Sequence, residues 1–138
     1  MHLFDTNAIS ALVHHRRGFE RLARTVDDLP LEERLVSAIT LAEIETMIAK
    51  AGNPERKFQA VHLILANFNL VDFGDLAAAH AGRIRAYLEP RGEAIGPLDT
   101  LIAAHARSLG AAVVTDNLDE FRRVPDLEVL SWRRAPSA

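Results

Sequence analysis

Short apolar runs along this chain alternate with longer stretches in which hydrophobic side chains recur at helical spacing. His2 to Phe4, Leu35 to Ile39, Asn69 to Phe73, Ala112 to Thr115 and Glu128 to Ser131 read as strands. Between them, Thr6 to Val13 and Gly18 to Leu29 read as helices, the second stopped by Pro30. Thr40 to Ala51 is a helix closed by Gly52, and Pro54 to Asn67 follows with Phe58, Val61, Ile64, Leu65 and Phe68 on one stripe. Asp75 to Leu88 is helical, Pro90-Arg91-Gly92 is a loop, and Pro97 opens a last long helix that Gly110 closes.

Strands that alternate with helices predict an α/β fold, with a mostly parallel sheet covered on both faces. A length of 138 residues suits one domain, here residues 1–134, with 135–138 expected to be a disordered tail. The composition, 49% hydrophobic and 25% charged, is ordinary for a globular protein and excludes a low-complexity chain. Without cysteine, disulfides and thiolate zinc sites are excluded. No apolar run approaches a membrane span, and Asp5 comes too early for a secretory leader, so a cytoplasmic protein without a membrane is expected.

Charge changes the picture only through its distribution. The net value of −3 does not mark a nucleic-acid binder. Yet 14 of the 16 basic residues are arginine, clustered at Arg16-Arg17 with Arg21 and Arg24, at Arg83 with Arg85, at Arg122-Arg123 and at Arg133-Arg134. Arginine forks match phosphate, although a GC-rich coding bias would produce the same excess.

Four acids stand where a strand hands over to a helix or turn: Asp5, Glu43, Asp99 and Asp116. In an open α/β sheet the strand carboxyl ends share one crevice. Carboxylates gathered there repel unless a cation joins them. Each acid also has a local explanation. Asp5 can cap a helix, Thr40 and Glu43 fit a capping box, Asp99 lies in a first helical turn, and Asp116-Asn117 can form a turn. Together they point to a divalent-metal site.

Four blocks in order carry a family resemblance: Asp5-Thr6-Asn7 after the first strand, Ser37 through Ile44, Asp99-Thr100-Leu101-Ile102-Ala103-Ala104, and Val114 through Phe121. With the closing run from Arg123 to Trp132, they resemble PIN-domain ribonucleases, most closely the VapC-type toxins of bacterial toxin–antitoxin pairs. The resemblance covers almost the whole chain. It implies a PIN-like three-layer α/β/α sandwich and a hydrolase that cleaves RNA phosphodiester bonds with Mg²⁺, or Mn²⁺. By that carry-over Asp5 and Asp99 bind metal directly, and Glu43 and Asp116 bind a second metal or orient water. Thr6, Asn7, Thr115 and Asn117 support them by hydrogen bonds. A small VapB-type antitoxin and a homodimer are the implied partners.

Carboxylate oxygens are the donors such hard cations prefer, and a bound cation lowers the pKa of water and stabilises charge on phosphate. The fourth position stays open among Asp116, Asn117 and Asp119. The expectation is that Asp116 faces the crevice, Asn117 bonds nearby and Asp119 caps a short helix. His14-His15 could touch a phosphate or partner, whereas His62, His80 and His105 are read as structural. Val13, Phe19, Leu22, Ile44, Met47 and Ile48 could form an interface face. Two other classes remain: a PIN-like module that binds RNA or protein without cutting, and an acid-lined phosphatase, although the latter's usual Asp-x-Asp is here Asp5-Thr6-Asn7.

Overall fold

The computed structural model describes residues 1–132. The chain runs β1 (His2–Phe4), α1 (Thr6–His14), α2 (Phe19–Asp27), β2 (Arg34–Ser37), α3 (Ala38–Lys50), α4 (Pro54–Leu65), β3 (Asn69–Val71), α5 (Asp75–Leu88), α6 (Pro97–Ser108), β4 (Ala112–Val114), α7 (Leu118–Phe121) and β5 (Val129–Leu130). Short 3₁₀ turns precede β2, at Leu31–Glu33, and follow α5, at Glu89–Arg91. All strand pairs are parallel, in the order β3-β2-β1-β4-β5. The chain builds outward from β1 to β3, then crosses back to place β4 on the other side of β1. That reversal opens a crevice at the carboxyl ends of β1 and β4.

Alternation along the strands makes the three layers. Leu3, Leu35 and Val113 point to one side, where Ile84 and Leu88 of α5 and Ile102, Ala103, Ala104 and Ala106 of α6 cover them. Their neighbours Phe4, Val36 and Val114 point to the other, against Ile9 and Leu12 of α1, Leu22 and Val26 of α2, Ile44 and Ile48 of α3 and Val61 of α4. Phe4 meets the Phe68 ring edge-on at 5.1 Å. Each such fully buried side chain contributes roughly 1.5–3 kcal/mol of transfer free energy. The alanines of α6 let that helix lie close to the sheet, which fixes the height of Asp99 in its first turn.

Several sequence expectations change here. β2 ends at Ser37, two residues before the expected Ile39, because Ser37 caps α3 by accepting from the Ile39 N–H at 3.1 Å. Its hydroxyl also meets His105 Nδ1 at 2.7 Å, tying α3 to α6. The capping box at Thr40 and Glu43 is therefore absent, and both residues sit inside the helix. β3 stops at Val71, short of Phe73, whose ring packs edge-on to His105 at 5.3 Å. The expected Pro90-Arg91-Gly92 loop is a 3₁₀ turn ended by Gly92 at φ 65°. Leu22, Ile44 and Ile48 are core residues and not an interface face, since the opposite helices already cover them. The tail residues 135–138 and Arg133-Arg134 lie outside the described residues. No described helix is long and apolar enough to cross a membrane.

Candidate active site

Asp5 follows directly on β1, with its N–H bonded to the Val114 carbonyl of β4 at 3.1 Å. It caps α1, accepting from the Ala8 N–H at 2.9 Å, as the sequence suggested. Only 1% of it is exposed. Its second oxygen accepts from the Thr115 hydroxyl at 2.5 Å, and that hydroxyl in turn accepts from the Asn117 N–H at 2.9 Å. Asp5 is thus aimed by β4 and its turn as much as by its own helix. Burial, and the negative charges of Asp99 and Asp116, push its pKa up to about 7 despite the Thr115 and Ala8 hydrogen bonds.

Glu43 reaches the same end from α3. Its Oε1 accepts from the Thr6 hydroxyl at 2.6 Å, and Thr6 Oγ1 also lies 3.2 Å from Thr40 Oγ1. The residues read as a local capping pair are joined instead to the first turn of α1, more than thirty positions away. Asp99 stands in the first turn of α6, half-buried. Burial raises its pKa, and a hydrogen bond to Glu120 and the charges of Glu120 and Glu43 raise it further; it reaches about 6, although a hydrogen bond from Asn117 opposes the change.

At the fourth position the turn after β4 sends its residues different ways. Asp116 is half-buried and its charge acts on Asp5. Asn117 Nδ2 donates to Glu120 Oε2 at 2.9 Å and to Asp99 Oδ2 at 3.3 Å. Asp119 is exposed inside α7 and caps nothing; the N-cap position is Asn117, which makes no side-chain cap bond there. Sequence reasoning missed Glu120. Its signal was the spacing Asn117-Leu118-Asp119-Glu120, which returns a side chain over the first turn of a helix. Asn7 is exposed.

The crevice therefore brings together Asp5, Glu43, Asp99 and Glu120 around Asn117, with Asp116 beside them. Among the described residues no three acids or histidines form a ready-made ion cage. The donor set nevertheless fits Mg²⁺, which keeps waters and needs only one or two carboxylates. Burial and like charge disfavour the ionised forms of Asp5 and Asp99, and a cation removes that deficit.

The PIN domain family model matches residues 3–127. The chain belongs to the PIN domain family. Ribonuclease VapC2 of Haemophilus influenzae is 37% identical over 131 residues, covering 95% of this chain and 97% of that protein. The tRNA(fMet)-specific endonuclease VapC of Salmonella typhimurium is 40% identical over 97 residues, 70% of this chain and 74% of that protein. Among solved structures, VapBC-1 from nontypeable Haemophilus influenzae matches with a TM-score of 0.86 and 32% identity, over 96% of this chain and 98% of that one. VapBC2 from Rickettsia felis bound to a promoter DNA fragment matches at 0.85 and 28%, over 95% and 98%. The acids of this PIN domain lie within the matched segment.

Its histidines stay out of the crevice. His105 is 1% exposed, bonded to Ser37 and to the Asp72 backbone, and burial lowers its pKa. His80 Nδ1 accepts from Arg107 at 2.9 Å. His14 is held by Ser10 and lies 2.8 Å from Lys57 Nζ, while His15 stacks on Phe19 at 4.4 Å.

Proposed function

We propose that the chain is a metal-dependent endoribonuclease and the toxin of a VapBC-type toxin–antitoxin pair. The observation that carries this reading is the meeting of Asp5, Glu43 and Asp99 at the carboxyl ends of parallel strands in a PIN domain whose relatives are VapC ribonucleases. Asp5 and Asp99 would hold Mg²⁺, or Mn²⁺, with Glu43 and the Asp116–Asn117–Glu120 group beside it. Such a cation supplies Lewis acidity toward phosphate and makes water a better nucleophile near neutral pH.

The chain's own contribution is placement. Thr115 holds Asp5 by donating to the oxygen that Ala8 does not occupy, so the carboxylate cannot rotate away. Thr6 fixes Glu43 in the same manner. Held so, Glu43 would accept a proton from an attacking water. In the hydrolysis, a water oxygen forms a bond to phosphorus, the bridging P–O bond breaks, and the departing oxygen takes up a proton. Asn117 donates to both Asp99 and Glu120 and so fixes their orientation.

A small VapB-type antitoxin would inhibit by placing a basic side chain among these carboxylates, in competition with metal. The test is Mg²⁺-dependent cleavage of structured RNA by the purified chain, with a phosphomonoester as control. Asp99→Asn keeps the shape, removes a charge, and is expected to abolish cleavage with the fold intact. A folded Asp99→Asn protein that cuts RNA at the wild-type rate would overturn the assignment.

A further inference from the structure

One arginine cluster of the sequence has no part in the crevice. Arg17, Arg21 and Arg24 are all exposed, and the structure gathers them with Gly18, Glu20 and Trp132 around a cavity of about 500 Å³. Arg21 and Arg24 lie one turn apart on α2, and Arg17 stands just before its start, so the three guanidiniums reach one side of the helix. Glu20 offsets one of these charges and leaves the lining cationic.

Two other features favour an anion there. The N-cap of α2 is Gly18 at φ 86°, a left-handed conformation that glycine adopts without strain, and no side chain caps the helix. The Phe19 N–H already donates to the Arg16 carbonyl at 2.9 Å and the Arg21 N–H to the Gly18 carbonyl at 3.1 Å, so it is the positive end of the helix that is left toward the glycine that lines the cavity. Trp132, 2% exposed, also lines it, and its indole Nε1 is buried without a hydrogen-bond partner. An orphaned buried donor is uncommon, and a ligand oxygen against the indole would satisfy it.

Strand register places the cavity. Val114 of β4 pairs with Leu130 of β5, so Trp132 lies as far beyond β5 as Asp116 lies beyond β4. The arginine cavity thus opens at the same carboxyl edge of the sheet as the acids. A negatively charged polymer crossing that edge would meet the acids only where metal neutralises them, and would meet the arginines directly.

We propose that this cavity is a subsite for a backbone phosphate of the RNA strand, held by Arg17, Arg21 and Arg24 to one side of the catalytic crevice. The proposal rests on the ribonuclease reading. Guanidinium forks at the positive end of a helix suit a phosphate, and the chemistry next door acts on a phosphodiester. Carboxylates of a protein partner are the competing occupant. Arg21 has an interaction within the protein as well, so Arg17 and Arg24 are the diagnostic pair.

The test uses the full chain carrying Asp99→Asn, so that RNA is bound but not cut. Affinity for a labelled single-stranded RNA is measured by anisotropy across a salt series, for this parent and with Arg17→Gln or Arg24→Gln added. Each change is expected to weaken binding about tenfold, the equivalent of one charge-assisted hydrogen bond. The slope of log affinity against log salt should become shallower by about 0.7 for each phosphate that the variant no longer neutralises. In the cleaving protein the same changes should raise KM and leave kcat within about twofold. Unchanged RNA affinity and salt slope, with far-UV circular dichroism intact, overturn the subsite. So does retained RNA binding with abolished binding of a co-encoded protein, which would assign the cavity to that partner. A wild-type chain that neither binds nor cuts RNA removes the ribonuclease reading and the subsite together; one that cuts RNA while the arginine variants bind like their parent removes the subsite alone.

Discussion

Asp5→Asn should stabilise the metal-free protein while destroying its activity, and the gain should grow with pH. Asp5 is almost fully buried, and its pKa rises from 3.8 to about 7. A carboxyl whose folded pKa is raised binds more protons folded than unfolded between those two values. Stability therefore falls as pH climbs through that window. Integrating the two titrations from pH 5 to pH 8 gives a loss of roughly 2–3 kcal/mol for the wild type that Asn cannot suffer. Asn at position 5 keeps the cap, since its amide oxygen can accept from the Ala8 N–H as Asp does. It must turn an NH₂ toward Thr115, whose hydroxyl then changes from donor to acceptor, at a cost of about 1 kcal/mol. That cost does not depend on pH, so the pH trend separates charge from hydrogen bonding. Urea denaturation in EDTA at pH 5 and pH 8, followed by circular dichroism, reads it directly. With a urea dependence of about 1–3 kcal/mol per molar, the midpoint gap between mutant and wild type should widen by about 1 M toward pH 8. A gap equal at both pH values would refute the electrostatic account of the crevice.

Metal should reverse the same deficit. Mg²⁺ is expected to raise the wild-type melting temperature more at pH 8 than at pH 5, where protons on a group of pKa about 7 weaken binding by a factor of ~100; an equal shift in Asp5→Asn/Asp99→Asn would exclude those two as the main ligands. Ser37→Ala removes the α3 cap and the hydrogen bond to His105, and should cost about 1–3 kcal/mol in urea denaturation. His105 has a folded pKa below 6.5, so its contribution is complete above that value and fades as pH falls below it; His105→Gln should flatten that part of the stability–pH curve. At the fourth position, cleavage by Asp116→Asn, Asn117→Ala and Glu120→Gln should fall well below wild type, while Asp119→Asn, exposed on α7, should cut normally.

The layers were legible because strands and helices carry different hydrophobic periods. Leu3 and Phe4, Leu35 and Val36, Val113 and Val114 alternate between two cores, as a sheet buried on both faces requires. Boundaries were less legible where a polar residue serves two elements. Ser37 ends β2 and caps α3, and the choice between it and Thr40 depends on His105, sixty-eight positions later in the chain. No local pattern holds that information. The same reason explains Thr6. Its proximity to Asp5 marked it as a supporting group, but its partner, Glu43, is supplied by another helix.

The crevice itself divides along that line. Asp5 and Asp99 could be singled out from their positions after β1 and at the start of α6, since each position follows from a local signal: a cap in one case and a proline-opened turn in the other. The acids beyond β4 could not, because four polar residues follow one another closely and only the turn decides which face inward. Thr115 settles it. By donating to Asp5 and accepting from the Asn117 N–H, it bends the chain so that Asn117 reaches Asp99 and Glu120 together. Asp119 is then carried outward on α7. An amide at that position adds no charge but donates to both Asp99 and Glu120, which also share a hydrogen bond with each other. The turn after β4 therefore presents an Asn117–Glu120 pair to the crevice as well as Asp116. The loss of the Asn117 amide should free Asp99 from its nearest neutral donor, and raise its affinity for protons as it weakens its hold on a cation.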